Sequence, residues 1–335
     1  MKPRLLVPTL VLALALPAPA APDYDATRSL AGTLHLWGPA PMTALAQAWA
    51  AGFQRFQPGV RIEINFLGSD TAIPGLYSGQ ADIAFLGREN NITDDNGFSR
   101  PMGYAPLRFE VTTGSLDVPG RTPALVVFVQ QDNPLAQLTL AQLDALFGYE
   151  RRRGAPAAIR TWGGLGLTGP WADQPIHLYG YDATTGTGQF FTKAVLGGSH
   201  KMNWDRFIEF PDRRNPDGTR LDAAEQSLAA LRADPLGLAV SCLRFADAGV
   251  RAVPLAAAGG PAVAATRETL VAREYPLARA TYTFVNRPPG AALDPKVREF
   301  LRYLFSREGQ EDVVREHGYL PLNEATLAAQ RQLLE

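Results

Sequence analysis

Three short polar loops carry the residue types and the spacing that suit anion binding. They cover residues 38–42, 68–72 and 184–188, and each comes after a predicted strand and before a predicted helix. Free backbone N–H groups and the positive end of the helix dipole meet at such junctions, which makes them potential sites for phosphate or carboxylate groups. Two of the loops add hydroxyl donors. Their candidate ligand-binding residues are Gly68, Ser69, Asp70, Thr71, Thr184, Thr185, Gly186 and Thr187.

A second interpretation of these polar residues stays open at the level of sequence. Serine and threonine are common helix N-caps, so Ser69 and Thr185 could do no more than satisfy the first turns of their own helices. Arg88 raises a similar choice, because it follows a predicted buried strand. A guanidinium fixed there can donate two hydrogen bonds to an anion, or it can pair with a surface carboxylate.

No other set of residues in the sequence indicates catalysis or metal binding. There is no phosphate-binding P-loop and no Gly-x-Ser-x-Gly nucleophile motif. The single cysteine, Cys242, lies in an apolar run and is interpreted as a buried core thiol. Four isolated histidines lack metal-ligand spacing; they are His35, His177, His200 and His317. We therefore predict no catalytic residue, no metal and no cofactor.

The candidate loops are positioned by alternating strands and helices. Val60, Ile62 and Ile64 alternate with charged residues, as in a half-buried strand. The alternation of strands and helices favours parallel βαβ units, and ligands of such sheets bind beyond the carboxyl ends of the strands. The predicted strands cover residues 33–37, 60–64, 82–86, 124–129, 176–181, 238–242 and 281–285. The predicted helices cover residues 42–56, 71–77, 139–147, 187–196, 221–232, 295–305 and 308–316.

The composition is that of a globular protein without a strong electrostatic preference. Of 335 residues, 46% are hydrophobic and 19% are charged, which excludes a disordered or fibrous chain. The 32 basic and 33 acidic side chains leave a net charge of −1, so we expect no nucleic-acid partner. One cysteine excludes an internal disulfide. The length suits two domains of about 150 residues or one large domain.

The first twenty residues have the pattern of an export signal. Lys2 and Arg4 precede an apolar run over residues 5–16, and Ala18-Pro19-Ala20 supplies small residues for cleavage after Ala20. The run is too short to span a bilayer, and no cysteine follows it that could carry a lipid. We expect residues 1–20 to be removed and the mature chain to be soluble in the periplasm.

Taken in order, the loops and further short segments resemble the phosphate-type periplasmic solute-binding proteins that serve ABC importers. The resemblance runs over nearly all of residues 33–322. Each segment alone is weak evidence for the family, but the set of segments in this order is specific to it. The best matches are Tyr-Pro-Leu-Ala-Arg at 275–279 and Gly-Tyr-Leu-Pro-Leu at 318–322. The other segments are 38–42, 68–72, 79–84, 87–89, 132–134, 161–163, 185–187 and 308–310.

The resemblance implies an α/β protein with the two-lobed type II periplasmic-binding fold. Each lobe is expected to have a central sheet flanked by helices, and two crossing strands join the lobes. The first lobe would take residues 30–124 and 284–335, the second 131–278, and the crossings would lie near 126–130 and 280–285. The ligand is expected in the cleft between the lobes, which closes by a hinge motion.

Several residues depart from the family's usual ligand pattern. Prolines in the first loop remove hydroxyl and N–H donors, and Tyr181 stands where an arginine commonly precedes the Ser-Gly-Thr segment. A dehydrated phosphate dianion needs many charged donors. We therefore expect weaker phosphate binding, or a larger anion whose apolar part contacts Met42, Leu86 and Tyr181. The departures are Pro39, Pro41, Leu86, Gly87 and Tyr181.

The resemblance favours a monomeric, non-enzymatic binding protein for phosphate or a related oxyanion compound. Its partners would be the small anionic ligand and the permease of an ABC transporter in the inner membrane. The alternative keeps the fold but not the tight phosphate site, and makes the protein an envelope accessory or signalling component. An exported hydrolase would need a nucleophile with a positioned base, which the sequence does not offer.

Overall fold

The computed structural model describes residues 21–335, so the predicted signal segment lies outside the described residues. Within this range, none of the helices is long and apolar enough to cross a membrane. The strands of residues 21–335 are β1 Gly32–Trp37, β2 Val60–Asn65, β3 Ile83–Leu86, β4 Leu107–Thr113, β5 Val126–Gln130, β6 Leu138–Thr139, β7 His177–Tyr181, β8 Phe207–Phe210, β9 Arg213–Arg214, β10 Arg220–Leu221, β11 Gly237–Ser241, β12 Val250–Ala252, β13 Leu255–Ala256, β14 Ala262–Val263 and β15 Ala280–Val285. The helices are α1 Thr43–Phe56, α2 Ser69–Tyr77, α3 Ile92–Met102, α4 Leu140–Phe147, α5 Gly186–Val195, α6 Ala223–Arg232, α7 Arg267–Val271, α8 Pro295–Leu304, α9 Arg307–Glu316 and α10 Glu324–Gln332.

The first lobe is built on a five-stranded sheet in the order β2-β1-β3-β15-β4. β1 pairs in parallel with β2 and with β3, whereas β15 runs antiparallel to both of its neighbours. Its main core brings Trp49 and Phe53 of α1 against Phe300 and Tyr303 of α8. The apolar spacing in residues 42–56 predicted this face of α1. Leu45, Trp49 and Gly52 are buried as expected, whereas Phe56 is 39% exposed.

The second lobe has its own five-stranded sheet in the order β12-β5-β11-β7-β8. β11, β7 and β8 are parallel, and β5 is antiparallel to β11 and β12. Its core includes Val127, Phe147, Leu178, Leu228 and Val240, which come from three strands and from α4 and α6. Each lobe therefore buries a separate apolar core around a mixed sheet, as an α/β layer architecture requires.

Two adjacent segments connect the lobes. The chain leaves the first sheet after β4 and joins the second at β5, and it returns through residues 272–279 to β15. Gly114 N donates to Arg279 O at 2.7 Å and Leu125 N donates to Leu277 O at 3.2 Å, which holds the two passages side by side. The segments 126–130 and 280–285, which we expected to be crossings, are strands of the two sheets. The chain passes between the lobes just before each of them.

Two regions of the first lobe have no counterpart among the predicted elements, α10 and residues 92–113. Residues 92–113 form α3 and β4, although the sequence there gave no helix or strand prediction. Gly97 and Pro101 lie inside α3 and weaken its sequence signal. The helix forms because Asn91 and Asp94 make a capping box and Gly103 ends it with φ of 76°.

Candidate anion-binding cleft

A cleft of about 460 Å³ lies between the lobes, beyond the carboxyl ends of β3, β7 and β11. This volume is in the range of about 300–1,000 Å³ that is typical of small-molecule sites. The first lobe contributes Pro41, Gly87 and Arg88 to its lining, and the crossings contribute residues 117–118, 120–123 and 279. The second lobe contributes residues 181, 185–187, 212, 220, 222–225, 242 and 244–245.

The structure brings some of the predicted ligand-binding residues to the cleft and leaves others outside it. Arg88, Tyr181, Thr185, Gly186 and Thr187 line the cleft. The remaining predicted residues are not part of its lining; they are Gly68, Ser69, Asp70, Thr71 and Thr184. The start of α2 is nevertheless nearby, because Asp70 Oδ1 lies 3.5 Å from Arg88 Nη2.

At the start of α2, the polar groups bond mainly within the loop. The Thr71 hydroxyl donates to Gly68 O at 2.8 Å, and no side chain caps the helix. Gly68 adopts φ of 147°, a value that favours glycine, and its N–H donates to Gly38 O at 3.0 Å. The first and second candidate loops are therefore joined to each other. The Thr71 hydroxyl is already committed to the local turn.

At the start of α5, capping is the observed role of Thr185. Its hydroxyl accepts from Gly188 N at 3.1 Å and donates to Asp182 O at 2.7 Å. Thr184 donates from both N and Oγ1 to the Asp182 carboxylate. The backbone N–H groups of Gly186 and Thr187 find no acceptor among residues 21–335. These two N–H groups, rather than the threonine hydroxyls, are the donors that α5 offers to an anion.

Arg88 is held by the first turn of α3. Its guanidinium forms two bonds to Asp94, with Nη1–Oδ2 at 2.5 Å and Nη2–Oδ1 at 3.3 Å. Asp94 is mostly buried and also accepts from Asn91 N at 2.9 Å, so the carboxylate is itself fixed. Arg88 therefore pairs with a carboxylate, which is buried rather than on the surface. It also lines the cleft, and its donation to an anion stays a prediction.

Arg279 is a cleft residue that was not among the predicted ligand-binding residues. It lies on the second crossing and is only 2% exposed. Nη2 donates to Glu89 Oε2 at 2.7 Å and Nη1 donates to Thr187 Oγ1 at 3.1 Å. Arg279 ends the Tyr-Pro-Leu-Ala-Arg segment that supported the family resemblance, but the sequence indicated no role for it. An arginine two residues before the predicted strand at 281–285 was the signal that could have indicated it.

Tyr181 and Cys242 form a less polar side of the cleft. The Tyr181 hydroxyl is buried without a hydrogen-bond partner in the described chain, and burial raises its pKa well above the usual value. Burial also raises the pKa of the Cys242 thiol to about 11. Cys242 is 4% exposed, which confirms the predicted buried thiol. Both groups are neutral at physiological pH and add no charge to the cleft.

Two of the residues expected to contact an apolar part of the ligand are in the core instead. Met42 and Leu86 are fully buried in the two apolar clusters of the first lobe. The expectation that they contact the ligand is therefore wrong. Leu86 belongs to a strand whose residues are all buried, and the neighbouring Gly87 and Pro41 reach the cleft in their place.

The outer parts of the cleft hold charges that are largely paired. Arg121 lies 2.5 Å from Glu316, and Arg220 lies 2.5 Å from Asp212. The Arg244 guanidinium lies over the Phe245 ring, 4.8 Å from its centroid. Among residues 21–335, no group of His, Cys, Asp and Glu side chains is placed to hold a metal ion. The arrangement can bind and enclose a small anion.

Comparison with known proteins identifies the family. Residues 25–308 match the model of a PBP superfamily domain. The chain is 33% identical over 306 residues to the phosphate-binding protein PstS of Pseudomonas aeruginosa, covering 91% of this chain and 87% of that protein. The crystal structure of PstS from Borrelia burgdorferi matches with a TM-score of 0.57 at 14% identity, covering 87% of this chain and 99% of that one. An ABC-type phosphate transport receptor from Vibrio cholerae matches with a TM-score of 0.53 at 17% identity, covering 87% of this chain and 100% of that one.

The structural matches bear on the fold alone and agree with the two sheets described above. They confirm the predicted α/β architecture, in which two lobes are joined by two crossings in the type II periplasmic-binding fold. The relatives are named as binding proteins and transport receptors rather than as enzymes. With its family match extending over residues 25–308, the chain belongs to the PBP superfamily, as a solute-binding protein similar to phosphate-binding proteins.

Proposed function

We propose that this protein is a periplasmic solute-binding protein that captures phosphate or a related oxyanion compound and delivers it to an ABC importer. One observation carries the proposal. The unpaired N–H groups at the start of α5, in the second lobe, face the same cleft as Arg88 from the first lobe. A helix N-terminus and a guanidinium on opposite walls are the groups that hold a small oxyanion.

The binding mode follows from how these groups are fixed. Asp94 holds the Arg88 guanidinium, and the Thr185 hydroxyl fixes the first turn of α5. The anion would accept from Gly186 N and Thr187 N while Arg88 approaches from the other lobe. An anion bound to both walls stabilises the closed arrangement over the open one, because only the closed form offers both sets of donors.

The residues that line the cleft also bear on which anion it binds. Pro41 lines the cleft without an N–H group, and Tyr181 offers a neutral hydroxyl rather than a charge. Fewer charged donors favour phosphate bound at reduced affinity, or an organic phosphate or phosphonate of lower charge. The relative named as a phosphate-binding protein supports an anion of this chemical class.

A second role is favoured by one specific observation. Arg88 and Arg279 both pair with carboxylates of this chain, Asp94 and Glu89. Internal carboxylates that already pair with these two guanidiniums lower the gain from binding an external anion. An accessory or signalling protein of the cell envelope with a weak anion site would fit this arrangement.

Calorimetry on the mature chain, residues 21–335, separates these roles. The protein is unfolded and refolded to remove any copurified anion, and is then titrated with phosphate, sulfate, methylphosphonate and glycerol 3-phosphate. Heat of binding from phosphate or from either phosphorus compound supports the solute-binding role. If none of the four compounds gives a heat of binding, the accessory role is favoured.

The intact mass of the secreted protein tests export. The mature chain should begin at Ala21, and a mature chain that retains Met1 would contradict the predicted cleavage.

A further inference from the structure

Arg279 is a buried cation whose hydrogen-bonding capacity is not used up by the protein. Its side chain is 2% exposed and lines the cleft. Glu89 and Thr187 accept from its two Nη groups, and the Phe190 ring covers the guanidinium at 4.9 Å from the centroid. The third nitrogen, Nε, is buried and its N–H has no acceptor within residues 21–335. A buried charged donor without a partner is costly, so an acceptor entering the cleft would stabilise it.

The position of Arg279 in the chain sets it apart from other buried arginines. Arg121, Arg206 and Arg232 also have a buried Nε without a partner in the described residues. Arg206 and Arg232 do not line the cleft, and Arg121 lines it but pairs with Glu316 of the first lobe. Arg279 lies on the second crossing, where its carbonyl accepts from Gly114 N. Its guanidinium reaches Glu89 in the first lobe and Thr187 in the second. The side chain therefore contacts both lobes.

Arg279 also lies beside the donors of α5. Thr187, which accepts from Arg279 Nη1, is the second residue of that helix, and its own N–H is one of the two without an acceptor. An anion bound at these N–H groups would lie next to the Arg279 guanidinium. Tyr181, on the strand that leads to the same loop, brings only an uncharged hydroxyl.

We propose that Arg279 and the start of α5 form an anion subsite, which takes the oxyanion group of a phosphate, phosphate monoester or phosphonate. In this subsite Arg279 supplies the positive charge from the crossing, and the loop after β7 supplies backbone donors only. The inference rests on the proposed function, because it names the residue that binds the ligand of the same cleft. Because Arg279 lies on the second crossing and contacts both lobes, an anion bound to it also links both lobes to that crossing.

Inorganic phosphate and methylphosphonate are the probes for this subsite, measured by calorimetry. Arg279→Gln should weaken binding of the better probe by about tenfold or more, the lower range for a charge-assisted hydrogen bond. The matched control is Arg206→Gln, which removes an arginine outside the cleft whose Nε is also buried without a partner in the described residues, and it should leave affinity within about twofold. Tyr181→Arg combined with Arg279→Gln places a guanidinium at the end of β7, in the same cleft, and should recover part of the affinity.

Two further measurements keep the test valid if removal of Arg279 leaves Glu89 unpaired and unfolds the protein. Glu89→Gln with Arg279→Gln replaces the ion pair by a neutral pair, and its affinity is compared with that of Glu89→Gln alone. In the wild-type protein, the Nε–H resonance of Arg279 is assigned by its absence in Arg279→Lys. That resonance should shift on addition of phosphate.

The outcomes separate the subsite from the function. If the wild type binds a probe but Arg279→Gln binds equally well, or the Nε–H resonance does not move, the Arg279 subsite is wrong and the solute-binding role stands. If the wild type binds neither the probes nor the rest of the anion panel, the proposed function fails and the subsite fails with it. A loss confined to Arg279 variants, together with the resonance shift, supports both.

Discussion

The side-chain stem of Arg88, in the first lobe, lies directly against Gly186, the first residue of α5 in the second lobe. A β-carbon built on Gly186 would lie 2.7 Å from Arg88 Cδ. Carbon atoms normally approach no closer than about 3.5 Å in contact. The absence of a side chain at position 186 therefore permits the two walls of the cleft to meet.

Gly186→Ala should hinder this approach while leaving each lobe folded. We expect weaker anion binding and a smaller decrease in the radius of gyration on adding ligand, because Arg88 must move before the cleft can close. Calorimetry and solution scattering measure the two effects. Gly97→Ala is the matched control, since a β-carbon there meets nothing within 4 Å. Full closure and wild-type affinity in Gly186→Ala would contradict the role of this contact.

Arg88→Ala should reduce anion affinity by more than about tenfold, which corresponds to about 1.5 kcal/mol for a charged hydrogen bond. Arg108→Ala is a suitable control, because Arg108 belongs to the same lobe and lies over Tyr282 but does not line the cleft. Circular dichroism shows whether each variant is folded, which matters because Asp94 loses its partner. Equal affinity in folded wild type and Arg88→Ala would rule out Arg88 as a ligand-binding residue.

Thr185→Val should act on stability more than on binding. The hydroxyl is used as an N-cap, through Gly188 N and Asp182 O. Its loss should lower the free energy of unfolding by about 1 kcal/mol, measured by urea denaturation, and leave affinity within about threefold. Thr185→Ser keeps the cap and should behave as wild type. A variant of normal stability that has lost its affinity would show instead that the hydroxyl binds the ligand.

Pro41→Thr should strengthen phosphate binding. Pro41 lines the cleft in the short turn Ala40–Met42, and threonine would add both a backbone N–H and a hydroxyl there. One new hydrogen bond is worth about 1 kcal/mol, or about fivefold in affinity. Pro39→Thr controls for removing a proline outside the lining. A decrease or no change in affinity, with the fold intact, would show that this wall does not contact the anion.

Alkaline pH should destabilise the protein through Cys242. Burial raises the pKa of this thiol from 9.0 to about 11, so the folded state keeps the proton more tightly than the unfolded state. The stabilisation is complete below pH 9 and is lost as the pH rises towards 11. At about 1.4 kcal/mol per pKa unit, the loss amounts to about 2–3 kcal/mol.

Urea denaturation between pH 8 and 9.5 measures the onset of this effect, before most tyrosines of the unfolded chain ionise near their ordinary pKa of about 10. Cys242→Ala should show a flatter dependence of unfolding free energy on pH, whatever its absolute stability. The wild-type thiol should also resist alkylation at pH 8 until the protein unfolds. Rapid alkylation of the folded protein would show that the thiol is accessible and its pKa ordinary.

Local sequence patterns determined most of the fold. Alternating apolar residues predicted strands such as β2, and helical spacing predicted α1, because these signals depend on near neighbours only. This dependence on near neighbours also explains why α3 was not predicted, because Gly97 and Pro101 weaken its helical signal. Its capping box and its packing on the first lobe outweigh their cost, and packing is not visible in a local pattern.

The candidate site was only half determined by the sequence. The loop at 184–188 and Arg88 could be singled out from residue types, because helix starts and strand ends are local features. The sequence did not show that Thr185 is used as a cap, or that Met42 and Leu86 face the core. These depend on which way each side chain turns once the lobes are packed.

The pairing of Glu89 with Arg279 was decided by the tertiary structure alone. The two residues are 190 positions apart. The bond forms only because the second crossing returns the chain to the first sheet, where the start of β15 lies beside the end of β3. The sequence determined a two-lobed α/β protein with polar loops between strands and helices. Which of those loops face one another across a cleft, and which charges meet there, depends on contacts between distant segments that no local pattern encodes.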